Sequence, residues 1–165
     1  MPKIDKTAYV APTAVVMGDV TLGPESSVWY TSVLRGDMAP IVIGARTNIQ
    51  DGTIVHVDAG FPCTIGERCG VGHKAILHGC TVEDECLIGM GSILLNGVRI
   101  GTGSVVAAGA VVPEGMQVPP GSLVMGVPGR IVRQVTPELA ERITGTWQHY
   151  VDQAKNHRDG KYPPI

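Results

Sequence analysis

An aliphatic residue recurs at every sixth position along most of this chain, and this period constrains the fold more than any other feature of the sequence. The recurring residues are Val10, Val16, Leu22, Val28, Leu34, Ile43, Ile49, Val55, Ile65, Val71, Leu77, Val82, Ile88, Leu94, Ile100, Val106, Val112, Val118 and Val124. A unit of six residues is too short for a pair of helices and suits one short strand followed by a turn. Three units complete one triangular coil, and successive coils stack by strand pairing at about 4.8 Å. The sequence therefore predicts an all-β solenoid.

The residues around the recurring aliphatic positions favour a narrow interior. The fifth position of the unit is usually small or β-branched, as in Ala14, Ser26, Thr47, Ala75, Ser92 and Ser104. The chain contains one phenylalanine, and aromatic residues make up 4% of it. An ordinary layered core filled by aromatic side chains is therefore not expected.

The repeats stop after Gly126-Val127-Pro128-Gly129, and a helical pattern follows. Thr136-Pro137-Glu138 is typical of a helix start, with threonine as the N-cap and proline at the first helical position. Apolar residues then recur at helical spacing, at Leu139, Ile143, Trp147, Tyr150 and Ala154. We expect a solenoid over residues 1–135, an α-helix over 136–158 packed on it, and an irregular tail over 159–165.

Charge and hydropathy exclude several kinds of partner. The formal net charge is −2 and no basic cluster occurs, so neither nucleic acid nor an anionic membrane is an expected partner. The first residues, Met1 to Thr7, lack the apolar segment of a secretion signal, and no run of 18 apolar residues occurs. A cytoplasmic protein with a small-molecule substrate is expected.

The four cysteines do not suggest a disulfide framework or a thiolate zinc site. They are Cys63, Cys69, Cys80 and Cys86, and no two have the CxxC spacing. Without a secretion signal, structural disulfides are also improbable on grounds of redox compartment.

Three interruptions of the six-residue period lie close to three of the five histidines. Three residues are added between Leu34 and Ile43, four between Val55 and Ile65, and one is missing between Leu77 and Val82. We expect the added residues to bulge outward as short loops, including Phe61–Thr64. A purely structural repeat has no reason to be irregular here, so the interruptions indicate a functional site.

Counting the units in threes places two histidines side by side. Leu34, Val55, Leu77 and Leu94 fall on one face in successive coils, and the residues after them, Arg35, His56, His78 and Leu95, point outward. His56 and His78 are then one strand spacing apart, about 4.8 Å at the backbone. Two imidazoles at that spacing can reach the nitrogen separation of roughly 3.3 Å that tetrahedral zinc requires with bonds of about 2.0–2.1 Å.

The third histidine, His73, falls on the preceding face, above Asp51. Its side chain cannot easily bend around the corner of the triangle to join His56 and His78. A second copy of the chain could supply it, and three-fold association would create three shared sites. Three neutral histidines and a water form the open coordination of a catalytic metal. The alternative is that each is an ordinary solvated histidine.

These motifs resemble those of the γ-class carbonic anhydrase family of hexapeptide-repeat proteins. The matching segments are Arg35-Gly36-Asp37, Asn48-Ile49-Gln50-Asp51-Gly52, His56, Gly72-His73 and Leu77-His78-Gly79. The resemblance covers the solenoid and the helix. It implies a left-handed parallel β-helix with a C-terminal α-helix. The left-handed coiling of the β-helix is implied by the resemblance alone, since connections between parallel strands are usually right-handed. The resemblance also implies a homotrimer with Zn²⁺ at each interface, held by His56 and His78 of one subunit and His73 of the next; Fe²⁺ or Co²⁺ also suits three histidines.

The same resemblance implies roles for residues around the metal. Arg35 and Asp37 match a salt-bridge pair at the subunit contact, although they could be an exposed pair worth under about 1 kcal/mol. Gln50 matches the residue that orients the metal-bound hydroxide, or it could be solvated. Asp51 matches a carboxylate behind a ligand or at the interface, or it could cap a turn.

The implied activity is the reversible hydration of CO₂ to bicarbonate by zinc-bound hydroxide at the trimer interface. The family's founding pattern includes an acidic loop that exports the proton, and this chain departs from it. Only Phe61–Thr64 is inserted, without an acid, and Met38 follows Asp37 where an acid is expected. Turnover is expected to be weak or absent unless Tyr150, or His149 beside it, replaces the missing group.

Three other functions remain open on the sequence. Zinc hydroxide could attack an acyl-CoA thioester instead of CO₂. A hexapeptide-repeat acyltransferase would use the histidines as a general base and would not retain a metal. A non-catalytic assembly subunit would explain the missing acidic loop.

Overall fold

The computed structural model describes residues 1–163, and it is a left-handed parallel β-helix followed by one α-helix. Its strands are β1 (Lys3–Ile4), β2 (Tyr9–Val10), β3 (Val15–Leu22), β4 (Ser27–Val28), β5 (Val33–Ile43), β6 (Asn48–Ile49), β7 (Ile54–His56), β8 (Cys63–Ile65), β9 (Gly70–Val71), β10 (Ile76–His78), β11 (Thr81–Val82), β12 (Leu87–Ile88), β13 (Ile93–Leu94), β14 (Arg99–Ile100), β15 (Val105–Val106), β16 (Val111–Val112), β17 (Gln117–Val118), β18 (Ser122–Met125) and β19 (Arg130–Gln134). The helix α1 is Pro137–Arg158. The predicted fold class is confirmed.

Two faces of the triangular column position the functional residues. On one, the strands stack in the order β5, β7, β10, β13, β16; we call it the histidine face. On the other, β2, β4, β6, β9, β12, β15 and β18 stack in order, and we call it the helix face. The third face continues from the first because β3 and β5 bend around the corner.

The aliphatic positions of the repeat form the core of the solenoid. From Leu22 to Val124 every one of them is buried, with at most 4% of its surface exposed. Val10 and Val16 are only partly buried, because they belong to the first coil, where the column is open at its end. Burying aliphatic side chains at about 25 cal/mol per Å² stabilises the stack coil by coil.

Of the two insertions in the repeat, one follows the prediction and the other lies earlier in the chain. Between Leu34 and Ile43 the added residues belong to the long strand β5 but bulge from its pairing with β3, since Gly18 pairs with Gly36 and Val20 with Ile41, which leaves residues 37–40 opposite Asp19 alone. In the next interruption the loop lies earlier than predicted, at residues 57–62, where Asp58 and Phe61 form an isolated bridge. Cys63 is already buried inside β8, since its small side chain fits the interior.

The upper end of the column is closed by a strand that runs the other way. β19 pairs antiparallel with β18, so the last coil does not expose an unpaired strand edge on the helix face. Thr136 then caps α1 by accepting a hydrogen bond from the Leu139 amide at 3.4 Å.

The helix runs down the helix face, against the direction in which the coils stack. Near its start Ile143 packs with Val105 and Leu123 of the upper coils, and near its end Ala154 packs with Tyr9 and Trp29 of the lower coils. Residues 159–162 of the predicted tail form turns and bends, and residues 164–165 lie outside the described residues. In residues 1–163 no helix is long and apolar enough to cross a membrane.

Candidate metal centre

His56 and His78 end two neighbouring strands, and their rings face each other. The two residues are register partners in β7 and β10, as the repeat predicted. Nδ1 of His56 lies 3.0 Å from Nε2 of His78, and the ring centroids are 5.0 Å apart. The backbone therefore brings two imidazole nitrogens to nearly the separation expected of two ligands on one metal.

Hydrogen bonds fix which nitrogen of His78 carries the proton. Its Nδ1 lies 2.8 Å from Oδ1 of Asn96, while Nδ2 of Asn96 donates to Oδ2 of Asp58 at 2.9 Å. The Asp58 carboxylate can only accept, so the Asn96 amide must present its oxygen to His78. Nδ1 of His78 is then the donor, and Nε2 has a free lone pair.

The same reasoning applies to His56. Its Nε2 lies 3.1 Å from Oδ1 of Asp37, which also forms an ion pair with Arg35. Partial burial acts to raise the pKa of Asp37, but hydrogen bonds from Arg35 and His56 outweigh it and lower the pKa below its ordinary value. Because Asp37 is a carboxylate at neutral pH, Nε2 of His56 donates and Nδ1 has the lone pair.

Two lone pairs therefore face each other across 3.0 Å, and this arrangement requires a cation between them. Either a shared proton or a metal ion would satisfy both nitrogens. The hydrogen-bonded groups behind the two rings are of the kind that orients histidine ligands in metal sites. The donor set and spacing suit a tetrahedral metal whose bonds to nitrogen are about 2.0–2.1 Å.

His73 lies on the helix-face side of the column, away from this pair. Its Nδ1 lies 2.9 Å from Oδ2 of Asp51 in the coil below, and its Nε2 lies 3.4 Å from the hydroxyl of Tyr150 on α1. Within residues 1–163 of one chain, no three histidine, cysteine, aspartate or glutamate side chains converge closely enough to hold a metal. One chain thus presents a pair of ligands in one place and a single histidine in another.

Gln50 is close to His73 and is almost fully buried. It is 5% exposed, and its Nε2 donates to Oδ1 of Asn48 at 3.0 Å. Asn48 in turn donates to the carbonyl of Cys69 at 3.2 Å, which fixes the orientation of both amides. The Gln50 amide oxygen is thereby turned away from Asn48.

Tyr150 reaches the site from the helix. Burial, and then the charge of Asp51, raises the pKa of its hydroxyl to about 12. The phenol therefore stays protonated near neutral pH. The neighbouring His149 is exposed, and its ring lies edge-on to that of Tyr150 with centroids 5.6 Å apart.

Comparison with known proteins shows the family. The sequence model of the family described as "Bacterial transferase hexapeptide (six repeats)" matches residues 79–114. The chain is 46% identical over 148 residues to a probable carbonic anhydrase of Methanocaldococcus jannaschii, a match that covers 90% of this chain and 93% of that protein. It is 43% identical over 170 residues to the mitochondrial gamma carbonic anhydrase 1 of Arabidopsis thaliana, covering 99% of this chain and 62% of the relative.

The chain belongs to the γ-carbonic anhydrase family. It spans 62% and 58% of the length of two Arabidopsis thaliana members. Among solved structures, a hexapeptide transferase family protein from Anaplasma phagocytophilum is 37% identical with a TM-score of 0.91, and the match covers 94% of this chain and 92% of that one.

The sequence of this γ-carbonic anhydrase family member did not predict the positioning contacts of three residues, Asn48, Asn96 and Asp58. Asn48 stands two residues before Gln50 on the same strand edge, a spacing that could have placed both side chains on one side. Asn96 precedes a glycine and resembles an ordinary turn residue. Nothing in the sequence pairs it with Asp58, which is 38 positions away in the loop after β7.

A row of aliphatic side chains runs beside the histidine pair on the outside of the histidine face. The row, which we call the aliphatic ridge, consists of Val15, Val33, Ile54, Ile76, Ile93 and Val111. Val15, Ile54 and Ile76 expose 47%, 37% and 38% of their surface. The other three side chains of the row are half-buried, so the ridge is a partly exposed apolar strip next to the histidine pair.

A cleft of about 480 Å³ is lined by residues of the helix face and of α1. Gln50, His73 and Tyr150 line it at the coil of β6 and β9, and Arg133 and Arg142 line it near the start of α1. Between them the lining is mostly aliphatic or thioether, from Leu87, Met90, Val105, Leu123, Met125 and Leu139. We call this space the apolar cleft.

Proposed function

We propose that this γ-carbonic anhydrase family member catalyses the reversible hydration of CO₂ at metal sites shared between the subunits of a homotrimer. The observation that carries the proposal is the pair of lone-pair nitrogens facing each other across 3.0 Å in His56 and His78. Family membership supports the reaction, and the ligand chemistry supports the metal.

Sharing of the site explains why the ligands are divided within one chain. His56 and His78 supply two nitrogens, and the partner subunit's His73 supplies the third. The aliphatic ridge beside the pair gives the neighbouring subunit an apolar surface to pack on. Closed three-fold symmetry then repeats the contact three times.

Zinc held by three histidines would lower the pKa of a bound water to about 7, so that hydroxide would be available near neutral pH. Fe²⁺ and Co²⁺ accept the same donor set. The chain's own residues prepare the ligands. Asp37 accepts a hydrogen bond from His56, Asn96 accepts one from His78, and Asp51 lies 2.9 Å from Nδ1 of His73, so each ring offers its other nitrogen.

Gln50 is placed to orient the reacting oxygen. Its donor nitrogen is engaged by Asn48, so its amide oxygen remains free to accept a hydrogen bond beside His73. An acceptor at that position would hold the hydrogen of a bound water or hydroxide and aim a lone pair at carbon. Arg35 contributes indirectly, by holding Asp37 against His56.

Proton export limits the proposed reaction. The loop at residues 57–62 has one acid, Asp58, and its carboxylate is engaged with Asn96. Tyr150 has a pKa of about 12, so it transfers a proton poorly at neutral pH. We therefore propose turnover that is slow and is limited by proton transfer, with the exposed imidazole of His149, which packs against Tyr150, as the alternative proton carrier.

Acyl transfer or thioester hydrolysis is the second candidate. It is favoured by the similarity to a hexapeptide transferase family protein and by the apolar cleft, which is larger than CO₂ requires. Metal content separates the two candidates in part, because an acyltransferase that uses histidine as a general base retains no metal. A non-catalytic assembly subunit would bind the metal without turnover.

Metal analysis combined with a hydration assay tests the proposal. We expect about one metal ion per chain in the purified protein, and almost none in His78→Ala, because two remaining nitrogens hold zinc weakly. The same variant should lose at least about 100-fold in CO₂ hydration, since the metal supplies several kcal/mol. His149→Ala should keep its metal and is the matched control for metal content alone, because His149 is the proposed proton carrier. Wild-type protein free of metal, or unchanged activity in His78→Ala, would refute the proposal.

A further inference from the structure

The apolar cleft is built to hold more than the small molecule of the proposed reaction. Its volume of about 480 Å³ lies within the range of ligand pockets, about 300–1,000 Å³. It extends from the coil of β9 past β12 and β15 to β18. Three coil spacings of about 4.8 Å give it a length of roughly 14 Å.

The middle of the cleft offers a ligand almost no polar side chain. Leu87, Val105, Leu123 and Leu139 line it, and Val105 and Leu123 are 5% exposed, so the walls are packed and pre-formed. Met90 and Met125 border it with 54% and 46% of their surface exposed. A ligand that fills this space must be apolar along most of its length.

The charges in the cleft have one sign. Arg133 and Arg142 line it, and no aspartate or glutamate does. In the described part of the chain neither arginine forms an ion pair with a carboxylate; Arg133 donates only to the carbonyl of Gln134, at 3.2 Å. Two guanidinium groups without a carboxylate partner in the lining of the cleft favour a ligand with an anionic head.

We propose that the apolar cleft binds a medium-chain fatty acid, with its carboxylate at Arg133 and Arg142 and its chain pointing toward Gln50 and His73. An extended chain advances about 1.2 Å per bond, so about ten to twelve carbons span the cleft. This binding needs no metal and goes beyond the hydration of CO₂.

Calorimetric titration of the assembled protein with decanoate tests the proposal. We expect saturable binding with a negative heat-capacity change, the mark of apolar burial. Affinity should fall roughly fourfold for each methylene removed between decanoate and hexanoate, since a buried methylene contributes about 0.8 kcal/mol. Absence of saturable binding, or affinity independent of chain length, would overturn the proposal.

Two sets of variants locate the site. The double substitution Arg133→Gln, Arg142→Gln should weaken decanoate binding at least tenfold and leave the binding of neutral decanol within twofold. Arg130→Gln is the matched control, because Arg130 is an exposed arginine of the same strand that does not line the cleft. Ala108→Trp, at an exposed corner of the lining, should block both ligands while the protein stays folded.

His78→Ala separates this site from the metal centre. If decanoate binds in the cleft, its affinity in this variant stays within twofold of wild type, whatever happens to hydration. Loss of binding in His78→Ala would show that the carboxylate binds the metal instead. A crystal structure of the trimer with a neighbouring subunit filling the cleft would likewise exclude the fatty acid.

Discussion

Individual side chains prepare the two facing histidines in different ways. Asp37 accepts from His56 directly, and it is held by Arg35 in the same strand. His78 is controlled from further away, by the amide of Asn96, whose orientation is set by Asp58. The first arrangement depends on residues one coil apart, and the second depends on a loop outside the repeat.

Removing the amide behind His78 should weaken metal binding without removing a ligand. Asn96→Ala leaves the Nδ1 proton of His78 without its acceptor, so the ring is free to change tautomer. We expect metal affinity to fall about 10–100-fold, the usual cost of losing a partner behind a ligand. Competition with a chromophoric chelator measures this.

Asp58→Asn is the informative companion variant. An asparagine at this position can still accept from Asn96, so its loss of affinity should be smaller than that of Asn96→Ala. Equal metal affinity in wild type and Asn96→Ala would contradict the role given to this amide.

At the scale of elements, the strands and the helix position the site by different means. β7 and β10 place His56 and His78 together through strict register, which the repeat predicted from the sequence. α1 brings Tyr150 to within 3.4 Å of His73, 77 positions earlier in the chain. The helix achieves this only because Ile143 and Ala154 fix it at two separate places on the helix face.

The N-cap of α1 should contribute measurably to stability. Thr136→Ala removes the acceptor for the Leu139 amide, and we expect a loss of about 1 kcal/mol in the free energy of unfolding. Chemical denaturation measures it. Thr144→Ala, on an exposed position inside the same helix, should be neutral or slightly stabilising, because alanine is the better helix former. A loss of equal size in both variants would show that the cap is not the cause.

At the scale of the whole molecule, a single column is an incomplete catalyst in the proposed function. The ligand pair and the single ligand lie on different sides of the triangle, and the aliphatic ridge is exposed. Association of three columns would complete three sites and cover the ridge in one step. Metal binding and trimer formation should then stabilise each other by mass action.

Mixed trimers test whether the sites are shared. His73→Ala and the double variant His56→Ala, His78→Ala should each be inactive alone. Co-expressed in equal amounts with random assembly, they should regain about a quarter of the wild-type sites. A site is intact only where a His73→Ala chain supplies His56 and His78 and its neighbour, a chain of the double variant, supplies His73. Metal content and hydration rate should recover together. No recovery in verified mixed trimers would mean that each site lies within one chain.

The sequence determined the coil-by-coil placement of residues, because in a β-helix the partner of each residue follows from counting six-residue units. The solenoid, the register of His56 with His78, and the family were predicted and are confirmed. The metal, the trimer and the roles of Arg35, Asp37, Gln50, Asp51 and Tyr150 stay predictions. One loop was placed too late, at residues 61–64 instead of 57–62, because the count of added residues does not fix where within an interruption they leave the wall of the column.

Only the tertiary structure decided the tautomers of the two histidines, the contact of Tyr150 with His73, and the apolar cleft. Each of these depends on how an element outside the repeat packs against it: the loop carrying Asp58, or the helix carrying Tyr150 and Arg142. Such packing depends on the fit of side chains over many coils, and the residues that make it do not recur with the six-residue repeat. Counting repeat units therefore does not predict it.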